Sequence, residues 1–177
     1  MAALSLFTAG LLLGGCLTAL SLWLVSGLTM PIPAVWRYGA ATFIAVVAIL
    51  RDADVLRFPM PQNARQIPQE VFQRHLLRGS LQFGFELGTG VRTYVSSSAP
   101  YVVASMLLLS SDGFVAALVA GLGFGVGRAT TPLARVISHD GVDWDARLAG
   151  RLPIITIGIC SVLAAVAAFR LFGVWST

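Results

Sequence analysis

Lysine is absent from this chain; all 12 of its basic residues are arginine. Charge of either sign is scarce, at 11% of residues, against 56% hydrophobic residues and a mean hydropathy of +0.82. Soluble domains carry about 25% charged residues, so the composition excludes an ordinary soluble fold. Cysteine occurs twice, as Cys16 and Cys160, both inside apolar runs. That excludes a disulfide framework and offers no metal-ligand spacing. Histidine also occurs twice, as His75 and His139, far apart and without a metal-like companion. The acidic stretch His139-Asp140-Gly141-Val142-Asp143-Trp144-Asp145 departs from the calcium-loop pattern and reads as a solvated turn. No nucleophile–base spacing and no cofactor motif is visible, so nothing points to an enzyme or to a bound cofactor or metal. The arginines are divided among separate segments instead of forming a stripe, which argues against a nucleic-acid partner. The N-terminus lacks the basic segment that opens a signal peptide. Leu13-Gly14-Gly15-Cys16 looks faintly like a lipoprotein cleavage box, but the chain stays apolar to Leu28 instead of becoming a polar tether.

What is present is a series of apolar runs of membrane-crossing length. A helix needs roughly 20 apolar residues to cross the hydrocarbon core. The sequence predicts an all-α polytopic membrane protein, one domain over residues 1–177, with five spans at 4–28, 35–50, 80–109, 113–136 and 152–174. Pro31 and Pro33 break the chain between the first two, and Trp36, Tyr38 and Trp175 sit where an aromatic belt anchors spans. Arginine placement orients the bundle. The polar loop 51–78 holds Arg51, Arg57, Arg65, Arg74 and Arg78; the polar loop 135–151 holds Arg135, Arg147 and Arg151. The alternating connections, Thr29–Ala34 and Ser110–Asp112, hold none. By the positive-inside rule both arginine-rich loops are cytoplasmic, as is the N-terminus, and the C-terminus is outside. Within the first loop, Pro59, Pro61 and Pro68 keep the front half extended. From Pro68 a short interfacial helix is expected, with Phe72 and Leu76 on one face and Gln73 and Arg74 on another.

The third span is interrupted by Leu87-Gly88-Thr89-Gly90-Val91-Arg92-Thr93-Tyr94-Val95-Ser96-Ser97-Ser98-Ala99-Pro100. Irregular backbone at membrane depth survives only where it is buried in protein or lines a cavity, and an intramembrane charge is a functional candidate. The candidate cavity or gate residues are therefore Glu86, Gly88, Gly90, Arg92, Ser97, Pro100 and Arg128. Glu86 and Arg128 lie at matching depth and are expected to touch, as a gate or as an ion pair fixing helix register. Gly88, Gly90 and Pro100 permit the break, the serine run can bond helix backbone, and Arg92 has no acidic partner in sequence. Two overlapping small-xxx-small patterns, Gly121/Gly125 and Gly123/Gly127, occur on the fourth span, and Gly10/Gly14 on the first. Such glycines let membrane helices approach closely.

From Phe83 onward the pattern resembles the second half of the CcdA/DsbD-like membrane thiol-disulfide transporters of cytochrome c biogenesis. The similar features are Phe83-Gly84-Phe85-Glu86-Leu87-Gly88, a broken segment ending at Pro100, and an apolar run to Leu109. A glycine-rich span, Gly121–Pro132, and a last apolar helix follow, so the resemblance covers about half the chain. It implies a build of inverted three-helix repeats, with the first helix missing here. The family's redox cysteines stand beside proline; this chain has Ser97-Ser98-Ala99-Pro100 instead, and serine cannot replace thiolate in disulfide exchange. The sequence thus reads as a small transporter-like protein of a bacterial cytoplasmic membrane, related to redox or solute transport. The alternative is a non-catalytic accessory or assembly subunit. The expected partners are the lipid bilayer and another membrane protein or a second copy.

Overall fold

Long helices form wherever the apolar runs allow backbone hydrogen bonds to close within one segment. The computed structural model describes residues 2–59, 76–90, 97–110, 112–138 and 140–176. Its described residues form α-helices and no strand. In chain order they are α1 (Ala2–Ser26), α2 (Ala34–Asp52), α3 (Leu76–Thr89), α4 (Ala99–Leu109), α5 (Phe114–Ile137) and α6 (Gly141–Trp175). A 3-10 turn, Gly27–Thr29, extends α1. Four helical segments are long and apolar enough to cross a membrane: Ala2–Thr29, Ala34–Asp52, Phe114–Ile137 and Gly141–Trp175.

Across the interrupted third segment the structure describes two shorter helices, α3 of 14 residues and α4 of 11. At 1.5 Å per residue these rise about 21 Å and about 16 Å, so neither half alone crosses about 30 Å of hydrocarbon. The polar stretch 135–151 is not a loop. Helix α5 runs to Ile137, and α6 begins at Gly141 and continues for 35 residues through Arg147 and Arg151. Charged residues do not by themselves break a helix, and Asp140 starts this one. Its Oδ1 accepts from the backbone N–H of Val142 (3.0 Å) and of Asp143 (3.2 Å). An ion pair between Arg135 and Asp145 (3.0 Å) joins α5 to this first stretch of α6. The interfacial helix expected from Pro68 lies outside the described residues.

The chain divides into two units. The first contains α1 to Leu20, α3, α5 and α6 to Ala146. It is packed on glycine. A Cβ on Gly14 would stand 2.8 Å from the backbone N of Thr89, and one on Gly88 2.9 Å from Cα of Leu11. A Cβ on Gly10 would come 2.6 Å from the N of Phe85, and one on Gly84 2.9 Å from the carbonyl carbon of Phe7. On the α5 side, a Cβ on Gly121 would lie 2.8 Å from Cα of Cys16, and one on Gly125 2.9 Å from Cα of Leu12. So α1 meets α3 and α5 backbone to backbone, as small-residue membrane interfaces do. Among the described residues, the close packing does not extend to Gly123 and Gly127, around which a Cβ would meet nothing within 4 Å. The reason is helical phase: two residues turn a helix by about 200°, which puts that pair on the opposite face from Gly121 and Gly125.

The second unit contains α1 from Ser21, α2, α4 and α6 from Arg147. Its core is Ala45, Ala48, Ala99, Val102 and Cys160, with Ile49, Met106, Leu163 and Ala164 packed around it. Helices α2 and α4 run antiparallel, because Asp52 bonds Ser98 at one end and Arg37 bonds the Leu109 carbonyl at the other. In both units most of the buried residues are small, Leu11 and Arg37 being the large exceptions, while Leu28, Phe43, Val115, Ile154, Phe169 and Phe172 are exposed. A water-soluble core has the reverse arrangement. Small residues inside and large apolar ones outside is the distribution that a hydrocarbon solvent selects.

Candidate functional site

The best-defined polar site lies in the second unit, at the C-terminal end of α2 and the N-terminal end of α4. The first N–H groups of any helix lack an intrahelical partner. Here an acid from a neighbouring helix supplies it. Asp52 accepts from the Ser98 backbone N–H at both carboxylate oxygens (3.1 and 3.0 Å) and from the Ser98 hydroxyl at Oδ1 (2.6 Å). Ser97 donates its hydroxyl to Oδ2 (3.2 Å) and accepts at the same oxygen from the Ala99 N–H (3.1 Å). The Arg51 guanidinium reaches Oδ1 at 3.1 Å and the Ser98 hydroxyl at 3.3 Å. The thiol of Cys160, fully buried, donates to Oδ2 across 3.7 Å. Every partner of this carboxylate is a donor, and its side chain is only 2% exposed. A negative charge at a helix N-terminus also complements the positive end of the helix dipole. Pro100 falls in the first turn of α4, where its missing N–H costs nothing.

Beside Asp52 lies a cavity of about 560 Å3, lined by Arg51, Asp52, Asp54 and Arg57 and, from α6, by Pro153 and Thr156. The turn that closes α2 shapes it. The Val55 N–H returns to the Leu50 carbonyl (2.9 Å) and the Asp54 N–H to that of Arg51 (3.0 Å). This is the helix-ending motif that normally places glycine in left-handed backbone. Asp54 occupies that position with φ 59°, which costs about 1 kcal/mol relative to glycine.

The opposite end of the second unit carries another polar cluster. Arg37 is 6% exposed; its guanidinium contacts the Leu109 carbonyl (3.4 Å) and Met30 Sδ (3.8 Å), and its Nε has no hydrogen-bond partner among the described residues. Arg170 pairs with Asp112 at 2.8 Å, and the Trp23 indole donates to the Asp112 carbonyl at 3.1 Å. Thr29 bonds the Leu108 carbonyl at 3.0 Å. Helix α2 thus presents a cation to the C-terminal end of α4 and a carboxylate to its N-terminal end, opposing both poles of its dipole. Between Arg37 and Asp52, α2 rises about 22 Å; between Ser98 and Leu109, α4 rises about 16 Å. The long Arg37 side chain spans the difference.

The sequence candidates divide between the units. Ser97 and Pro100 belong to the Asp52 site. Glu86, Gly88, Gly90 and Arg128 belong to the first unit, and Arg92 lies outside the described residues. Glu86 accepts from Gln82, one turn back on α3, at 3.2 Å, and the Arg128 guanidinium lies 5.5 Å from the centre of the Phe124 ring. Gly88 lies within α3 and packs against Leu11 of α1. Gly90 ends α3 with φ +69°, its N–H bonded to the Leu87 carbonyl at 3.2 Å. Sequence reading missed Asp52 because it looked like one more charge in a polar loop. The available signal was its place in the last turn of an apolar run, adjoining an arginine. Among the described residues, no group of three or more His, Cys, Asp or Glu is placed to hold a metal ion. Comparison with protein families, with curated proteins and with solved structures finds no match to this chain.

Proposed function

We propose that the chain is an integral protein of a bacterial cytoplasmic membrane, of transporter-like build, in which Asp52 latches the second half of an interrupted helix. The membrane-crossing length of four helices and the small-inside, large-outside packing support the location. The observation that carries the functional reading is the buried Asp52 carboxylate, which holds the start of α4 beside a cavity of about 560 Å3. Transporters build their sites at such discontinuous helices. Arg92, outside the described residues, remains a proposed functional charge of the break. In the proposed topology the N-terminus and the Asp52 end are cytoplasmic, and the C-terminus is outside. Trp23, Arg37, Asp112 and Arg170 are tied together at one end of the second unit, and Arg51, Arg57 and Pro153 line one cavity at the other; the arginines of segment 51–78 are what make the second end the proposed cytoplasmic one.

The resemblance to the CcdA/DsbD-like transporters enters as a proposal about scaffold alone, since serines occupy the positions before Pro100. A second reading, an accessory subunit of a membrane complex, is favoured by the open face at Gly123 and Gly127, where a second helix could approach. The two readings separate in reconstituted proteoliposomes. Charge movement recorded against a panel of small ions and zwitterions, and lost in Asp52→Asn or Arg92→Ala, supports transport. No current with any solute, together with a stable complex that survives both substitutions, contradicts it and supports the subunit reading.

A further inference from the structure

We infer that the cavity at the end of α2 is a headgroup site for a phospholipid carrying both a primary ammonium and a phosphate diester. The inference rests on the membrane reading of the spans and is independent of transport. Among the described residues, four charged ones line the cavity. Arg51 and Asp52 neutralise one another at 3.1 Å and are committed to the start of α4. The side chains of Asp54 and Arg57 make no ion pair or hydrogen bond among the described residues. The cavity therefore offers one uncommitted charge of each sign, and a zwitterion answers both. Its volume of about 560 Å3 falls in the range of about 300–1,000 Å3 typical of small-molecule sites.

Three features select a lipid headgroup. The cavity adjoins the last turn of α2, and a helix of membrane-crossing length that spans the bilayer ends close to the headgroups. Leu56, Phe58 and Leu152 on its wall are all partly exposed and offer apolar surface to the glycerol end of a lipid. Asp54 holds a carboxylate at a backbone position where glycine would be less strained. The chemistry also discriminates among headgroups. A quaternary ammonium has no N–H to donate and is bound by aromatic cages, whereas among the described residues Phe58 is the one aromatic residue lining this cavity. A headgroup with net negative charge meets repulsion from Asp54. A primary ammonium donates to Asp54 while the phosphate pairs with Arg57.

The test uses the full chain, extracted in mild detergent and stripped of lipid. Ethanolamine, choline and glycerol phospholipids of identical acyl chains are titrated and binding is read by native mass spectrometry. The expected result is about three- to fivefold tighter binding of the ethanolamine lipid, the range of one partly exposed ion pair. Asp54→Asn tolerates the left-handed backbone and should remove the preference over the glycerol lipid. Arg57→Gln should weaken all three lipids. Equal affinities in the unaltered protein, or a preference that survives Asp54→Asn, would overturn the assignment. Binding of free O-phosphoethanolamine as tightly as the lipid would overturn the lipid source in favour of a soluble zwitterion. Recovery of the protein from cells in the aqueous fraction without detergent would instead refute the membrane reading on which the inference stands.

Discussion

Replacing Asp52 by alanine removes the acceptor of the Ser98 N–H, of the Ser97 and Ser98 hydroxyls and of Arg51 at once. Loss of a helix N-terminal acceptor costs about 1–2 kcal/mol, and hydrogen bonds to a charged group are worth about 1.5–3 kcal/mol. The terms overlap, because Arg51 is partly exposed and can turn to water. A local cost of about 2–3 kcal/mol follows. At about 1.4 kcal/mol per factor of ten, the opening of α4 becomes about 30- to 150-fold more frequent. Hydrogen exchange by mass spectrometry on protein in lipid nanodiscs reads this directly. Peptides covering Ala99–Leu109 should lose protection by that factor, whereas peptides covering Leu76–Thr89, in the other unit, should not change. Asp52→Asn keeps one acceptor oxygen, and the two hydroxyls can turn to meet its amide, so its effect should be smaller. Exchange of α4 unchanged within twofold in Asp52→Ala would refute the reasoning, as would an equal rise in both units.

Other substitutions test the backbone contacts. Gly88→Ala inserts a methyl against Leu11 Cα and should destabilise the protein by about 1–3 kcal/mol. Gly123→Ala meets open space and should be neutral or stabilise by up to about 1 kcal/mol; thermal unfolding in detergent, followed by size-exclusion, ranks the two. Gly90→Ala forces a Cβ into left-handed backbone at the end of α3 and should cost about 1 kcal/mol in the same assay. Asp54→Gly relaxes the strained turn and should stabilise by about 1 kcal/mol, while abolishing any preference for ethanolamine over glycerol lipid.

The apolar helices were legible in the sequence because hydrocarbon-facing helices must be apolar over their whole length. Spans at 4–28, 35–50 and 113–136 thus lie within a few residues of α1 with its 3-10 extension, of α2 and of α5. The start of α6 was not legible, because a polar helical stretch and a polar loop have similar composition; Asp140, as its cap, was the local clue. Gly10, Gly14, Gly121 and Gly125 could be read as contact residues from spacing alone. Gly123 and Gly127 share that spacing, and only helical phase separates the two pairs. The site was half legible. Ser97 and Pro100 stand out as polar and helix-starting residues in an apolar protein, yet Asp52 is 45 residues from Ser97 and Cys160 is 108 from Asp52. Contacts at that separation leave no pattern in one chain's sequence.

Thiol accessibility at Ala53 and Ser176 tests the central claim, a membrane protein whose Asp52 end and C-terminus lie on opposite faces. In a Cys16→Ser, Cys160→Ser background, Ala53→Cys and Ser176→Cys are each treated with a membrane-impermeant maleimide in intact cells and again after permeabilisation. The account predicts that Ser176→Cys is labelled in intact cells and Ala53→Cys only after permeabilisation. Labelling of both from the same face would mean an even number of crossings between them, and would contradict both the topology and the passage of the α3–α4 segment through the membrane.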